Sequence, residues 1–455
     1  MTSVADLAQT LQTLLTSTAD HIAAQTGCIR RCRKLTGASL VQTLVLGWLH
    51  QPEATLHNLA QMAATLGVQI SPQGLDRRFT EQTASCLKQV LETAVTQVIA
   101  GDPVAIPLLR RFAGVLIQDS SIVLLPAALA TTWQGCGSAD PQVAASAVKL
   151  QVRLDLLTGA LQGPLLQDGR VHDLKAPAQT LDLPAGTLRV ADLGYFSLDT
   201  LQRMSAGGGF WLTRWHAGTV VLDKQGQRLD LIPWLVAQGD APVDCPVLLG
   251  QTYRLPARLL VVRVPPEVAS QRRSRLHAEA QRRGQAVSQA RLATVDWTIY
   301  LTNVPAERLT LQEALVLGRA RWQIELLFKL WKSHGFIDAS RSGHPWRILC
   351  ELYAKLLGMV IQHWVLLTSC WRSPNRSSVK AAQTIRSYAL LLASALAGLV
   401  GLQVVLDHIG RCLASGCRIN PRKQRPNTYQ LLLTGSAAGC RPGIPAPVVS
   451  PDLRP

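Results

Sequence analysis

Residues 188–196 read LRVADLGYF. A short apolar run stops on an aspartate, Asp192, and a glycine and a helix-like segment, SLDTLQRMSAGGG (197–209), follow at once. A strand that ends on a carboxylate just before a helix suggests a layered α/β domain, where ligands gather beyond the carboxyl ends of strands. Asp before Gly is also a common turn, so the position alone stays ambiguous. Outward from it, AGVLIQDSSIVLLP (113–126) has a strand pattern with Asp119 in its middle. AVKLQVRLDLLTGALQGPLLQDGRVHD (147–173) reads as two strands joined by a turn at Thr158-Gly159. FWLTRW (210–215) and DWTIYLTNVP (296–305) supply further strands. Between about 217 and 296 lies a long mixed insertion with β-like runs, TVVLD and ARLLVVRV. It also holds a basic helix-like run (270–293) carrying Arg272, Arg273, Arg275, Arg282, Arg283 and Arg291. A charged run is usually a solvated face, but so few counter-charges lie nearby that phosphate contact is a fair rival.

Residues 310–333, TLQEALVLGRARWQIELLFKLWKS, predict a single long helix opened by a capping box of Thr310 and Glu313. Helical spacing puts Arg321, Glu325, Lys329 and Lys332 along one stripe. A surface ion ladder gives such spacing, and so does a functional stripe on an otherwise apolar helix.

The region up to about Pro107 reads as helical. Thr55–Leu66 forms one amphipathic helix ended by Gly67. Ser71 and Pro72 then suit the N-cap and first residue of a second, PQGLDRRF (72–79), presenting Gln73, Asp76, Arg77 and Arg78. This is the helix-turn-helix layout, with an ordinary helical hairpin as its alternative. The expected organisation is a helical DNA-binding region at 1–107, an α/β domain at 108–340 interrupted at 217–296, a helical region at 341–414 and a basic, flexible tail at 415–455.

The chain has 455 residues, enough for two or three domains, and 47% are hydrophobic, so a sizeable interior can be buried. Lys and Arg number 46 against 29 Asp and Glu, a formal charge of +17. A polyanion would relieve that self-repulsion: nucleic acid first, an anionic membrane surface second. None of the ten Cys forms a CxxC pair, which argues against a zinc knuckle, and the start lacks a secretory pattern. A reducing cytoplasm is the simple expectation. Tyr388–Leu406 carries no charge over about the length of a membrane span, and its composition favours a buried core helix.

Buried carboxylates are costly unless paired or coordinated. If Asp119, Asp192 and Glu325 converge, they can hold a pair of Mg²⁺ ions that activate a water or 3′-hydroxyl for in-line attack on a phosphodiester. Adjacent Arg and Lys would grip the flanking phosphates.

Strand-borne Asp119, the run DLGYF with Asp192, and R-x3-E-x6-K as Arg321, Glu325 and Lys332 resemble the DDE transposases of bacterial insertion sequences that carry the YREK signature. The gaps of 73 residues from Asp119 to Asp192, and of 133 from there to Glu325, also match. The resemblance spans about Cys32 to His334. It implies a ribonuclease H-like catalytic core with a β-rich insertion, flanked by helical N-terminal and C-terminal regions. It further implies two Mg²⁺ or Mn²⁺ ions held by Asp119, Asp192 and Glu325, and cut-and-paste transposition through a DNA hairpin. Arg321 and Lys332 map to phosphate-contacting positions, and Lys329 lies on the same stripe. Trp297 is the candidate to stack a flipped base, with a core position as the rival. The expected partner is double-stranded DNA, as terminal inverted repeats and target, bound by a homodimer in the synaptic complex. The expected location is the bacterial cytoplasm, on the nucleoid and not a membrane. Gln73, Arg77 and Arg78, together with Arg272, Arg273, Arg282 and Arg283, are the further DNA-binding candidates. One departure stands out: the signature tyrosine falls at 318, where this chain has Gly318. That leaves as the alternative a catalytically impaired or repurposed sequence-specific DNA-binding protein. A different metal nuclease on the same fold is a third reading.

Overall fold

The computed structural model describes residues 2–29, 35–136, 145–176, 179, 183–282, 284–423 and 425–436. In chain order, helices α1 (Val4–Thr13), α2 (Ala19–Gln25), α3 (Gly37–His50), α4 (Leu56–Thr65), α5 (Pro72–Asp76) and α6 (Glu81–Val95) come first. Strands β1 (Val115–Leu125), β2 (Ser146–Asp155), β3 (Leu161–Asp168) and β4 (Leu188–Ala191) follow, then α7 (Leu198–Ala206) and β5 (Phe210–Arg214). The insertion contributes β6 (Val221–Leu222), β7 (Arg228–Leu229), α8 (Leu231–Ala237), β8 (Val243–Leu249), β9 (Leu255–Arg263), α9 (Pro266–Arg282) and α10 (Gln289–Ala293). Next are β10 (Trp297–Thr302), α11 (Leu311–Ala320), α12 (Trp322–Ser333), α13 (Pro345–Cys370), α14 (Ser378–Ser387), α15 (Ala389–Leu396), α16 (Leu402–Gly416) and α17 (Thr428–Thr434).

The chain divides into two compact units, each threaded from three segments. The first takes residues 1–105, 119–171 and 324–420; the second takes 106–118, 172–323 and 421–455. This differs from the linear division that the sequence suggested. The reason lies in the apolar surfaces: α13 is buried along almost its whole length and packs on α3, α6 and α16, so distant segments share one core.

In the first unit, β2 and β3 form an antiparallel hairpin turning at Thr158-Gly159, as the sequence predicts. Gly159 has φ +76°, and a Cβ there would lie 2.3 Å from Leu367. Its carbonyl accepts from His363 Nε2 at 2.8 Å. β2 alternates apolar residues with Lys149, Gln151, Arg153 and Asp155, yet all ten residues are buried. Part of the polar face is paired internally: Arg153 donates to Gln162, and Asp155 caps the turn by accepting from Leu157 N. Another buried pair, Lys355 and Glu351 at 2.7 Å, uses the Lys355 ammonium to bind the carbonyls of Phe336 and Ala339.

The second unit orders its strands β1-β4-β5-β10-β9-β8-β6-β7, with the first residues of β1 at one edge. β1, β4 and β5 run parallel, in the register Gln118↔Ala191 and Val190↔Leu212. β10 reverses direction against β5, and β9, β8, β6 and β7 continue antiparallel. The insertion therefore extends the sheet. Its apolar face forms a core of Trp211, Leu235, Leu249, Leu259, Leu301 and their neighbours.

Three expectations change. The single helix over 310–333 breaks at Arg321 into α11 and α12. The apolar run 388–406 is not one buried helix: Gly398 takes φ +81° between α15 and α16, and Leu390, Leu391, Leu399 and Val404 are exposed. Among the described residues, the helix long and apolar enough to cross a membrane is α13, whose apolar window is entirely buried. Finally, the expected flexible tail contains α17, which is capped by Asn427, buries Leu431 and Leu432 and packs on α11.

Candidate active site

Asp119 follows Gln118, the last β1 residue paired with β4. The strand is fully buried up to that point and half-buried over residues 119–121, where the apolar sequence gives way to Asp-Ser-Ser. The Asp119 carboxylate accepts from Ser120 N at 2.8 Å.

Asp192 follows the last residue of β4 and is half-buried. Its extended backbone starts a single 3₁₀ turn, closed by Tyr195 N to Asp192 O at 3.0 Å. Sequence reading missed the buried Arg189 beneath it. That guanidinium donates to Gln118 and Gln179 and lies over the Tyr195 ring, tying the ends of β1 and β4 together. An arginine inside an apolar strand was the available signal.

Glu325 stands in the first turn of α12 and is half-buried. Further along, Lys332 reaches the Ile122 carbonyl of β1 at 2.9 Å, and burial pushes its ammonium below the ordinary lysine value. Lys329 is exposed. Asp119 and Glu325 belong to the first unit, and Asp192 to the second.

Arg214 closes β5 and neighbours Asp192 and Arg321 electrostatically. Tyr300, across the ladder from it, is the main influence holding its guanidinium above the ordinary value; burial opposes this, Asp192 adds to it and Arg321 works against it.

The remaining candidates divide. Gln73, Arg77 and Arg78 are exposed, but α5 spans only Pro72–Asp76, shorter than the eight-residue helix expected. The chain turns after Arg77, and the Arg78 carbonyl accepts from Thr83 Oγ1 at 2.6 Å. Arg272 is engaged internally, donating to the carbonyls of Val295 and Trp297 and to Thr298. Arg273 is ion-paired with Asp296. Arg282 is exposed, and Arg283 lies outside the described residues. Trp297 is 5% exposed within the sheet's apolar core, the rival position that the sequence left open.

The family profile described as "Transposase DDE domain" matches residues 111–361, over half of the chain. The chain belongs to the DDE transposases. The transposase for insertion sequence element IS231F of Bacillus thuringiensis subsp. israelensis is 24% identical to it across 91% of both chains. That for IS1151 of Clostridium perfringens is 26% identical over 68% of this chain and 70% of its own. The putative transposase InsL for IS186A of Escherichia coli strain K12 is 30% identical over 40% of this chain and 50% of its own. The protein is thus a transposase of the insertion-sequence kind, a DNA-cleaving and strand-transferring enzyme with a ribonuclease H-like core and a general dependence on divalent metal. Carboxylate oxygens such as those of Asp119, Asp192 and Glu325 are hard donors, of the kind that suits divalent cations of the Mg²⁺ type. Among the described residues, no three His, Cys, Asp or Glu side chains are gathered as a metal-holding group.

Proposed function

We propose that this transposase moves its element by cut-and-paste, with Asp119, Asp192 and Glu325 as metal-binding carboxylates acting on the element's terminal inverted repeats. The observation that carries the reading is that the matched segment, 111–361, contains all three carboxylates in order: Asp119 on β1, Asp192 just after β4 and Glu325 on α12. Two bound Mg²⁺ or Mn²⁺ ions would supply an activated water or 3′-hydroxyl and stabilise the leaving oxygen.

The chain's own groups serve the DNA. Arg321 and Lys332 hold phosphates flanking the cut; Lys332 has three N–H donors, of which the Ile122 carbonyl uses one. Lys329 extends that grip from the exposed face of α12. Gln73, Arg77 and Arg78 meet the DNA ends at the helical hairpin. Excision passes through a DNA hairpin, and two copies pair the ends before target joining. The work is done on the bacterial nucleoid, in the cytoplasm.

The test is cleavage of a labelled duplex carrying the element's own ends, with Mg²⁺ and with EDTA, for the wild type and Asp192→Ala. Metal-dependent nicks and hairpins that vanish in the variant are expected. A second reading, a DNA-binding protein that no longer cuts, is favoured by Gly318 in the signature tyrosine's place. End binding without any cleavage by the wild type would establish it.

A further inference from the structure

Gly318 lies inside α11, where glycine costs about 1 kcal/mol relative to alanine. The space that a side chain would need there is taken. A Cβ on Gly318 would fall 2.3 Å from the Tyr300 hydroxyl oxygen, 2.4 Å from Cζ and 2.8 Å from Cε1. Tyr300 cannot swing aside. It is 6% exposed, in a strand paired on both sides, to Arg214 of β5 and Leu260 of β9. Glycine and phenol are therefore a matched pair: a tyrosine missing from the helix faces one arriving from the sheet.

The phenol also has a job to do. Tyr300 and Arg214 are directly opposed in the antiparallel ladder, so their side chains share a face. They lie in a neighbourhood that includes Asp192, Arg272 and Arg321. Arg321 and Arg272 repel the Arg214 guanidinium and Asp192 attracts it, while the Tyr300 phenol stands across the ladder beside it. Without the hydroxyl, the like charges would push Arg214 off its line.

We propose that Tyr300 replaces the signature tyrosine: from β10 it sets its hydroxyl over Gly318 and holds Arg214 aimed at a DNA phosphate beside Asp192. Tyr300 is thus a positioning residue that acts through Arg214. The proposal rests on the DNA-cleaving reading above, but its main test needs no cleavage.

The full-length protein is titrated with a labelled duplex carrying the element's end, in EDTA, over a range of salt. Tyr300→Phe and Arg214→Gln should each lower the salt dependence by about one phosphate contact. The double variant should be no lower than Arg214→Gln alone, because the tyrosine works only through the arginine. With Mg²⁺, single-turnover cleavage by Tyr300→Phe should fall about tenfold or more, as for loss of a polar neighbour to a charged group. A wild-type slope and rate in Tyr300→Phe would overturn the proposal, and so would strictly additive losses in the double variant. Arg214, at the exposed end of β5, remains testable even if Tyr300→Phe melts early. An Arg214→Gln protein with wild-type slope and rate also overturns it. If the wild type never cleaves, the cutting reading fails, while the binding slopes still decide the role of Tyr300.

Discussion

Glu325 tests the chemistry most directly, because glutamine keeps its shape and removes its charge. Glu325→Gln should abolish cleavage of end-bearing duplex while leaving its affinity within about twofold, since a ligand to metal contributes little to phosphate contacts. Unchanged cleavage would remove Glu325 from the catalytic set. Trp297 has two possible jobs with different signatures. Its burial in the sheet's core predicts that Trp297→Ala destabilises the protein by about 3–5 kcal/mol, read as a lowered denaturation midpoint. A base-stacking role predicts instead a hairpin step impaired more than first-strand nicking. Equal loss of both steps, with the lower midpoint, assigns the tryptophan to the fold. Position 318 shows how far single residues could be read. The absent tyrosine was visible in the sequence, but its stand-in was not, because only the pairing of β10 with β5 and the approach of α11 put residue 300 over residue 318.

At the scale of elements, local signals located most pieces. The capping residues Ser71 and Thr310 both accept from their helices' first-turn amides, and the Thr158-Gly159 turn joins β2 to β3. Patterning was weaker where tertiary packing decided the outcome. β2 alternates apolar and polar residues, and Lys149, Gln151, Arg153 and Asp155 are covered all the same. Helical spacing over 310–333 runs without interruption, yet the helix breaks at Arg321. The basic run that includes α9 suggested a solvated face or phosphate contact, but two of its arginines hold the start of β10, a use that charge counting cannot see. The short α5 leaves Arg77 and Arg78 as its exposed cations. Replacing both with alanine should lower the salt dependence of end binding by about two phosphate contacts, and a wild-type slope would assign the DNA contact elsewhere.

For the whole molecule, acid stability turns on a group far from the chemistry. His363 is fully buried against Gly159 and Trp371, and burial lowers its pKa from 6.5 to about 4, with Arg376 adding to the effect and the Gly159 carbonyl opposing it. The unfolded chain takes up a proton below about 6.5 that the folded one refuses. The stability is therefore complete above that pH and is lost as pH falls toward 4, by about 3 kcal/mol at most. His363→Gln, which can still donate to Gly159, should flatten the fall in melting temperature between pH 7 and 4.5. An identical fall in both proteins would show that other groups control acid unfolding. The fold class was legible because strands, insertion and helix follow in a recognisable order. The grouping into units was not, since it depends on which apolar faces meet across hundreds of residues.

That interleaving also governs synthesis. The first unit opens with residues 1–105 but is closed by α13, which ends at Cys370. At bacterial rates, α3 and α6 would wait roughly 15–55 s for the helix that covers them. During that interval the faces of α3 and α6 that α13 will cover stay open to chaperones and proteases. A product cut short before α13 lacks that cover and keeps those faces exposed.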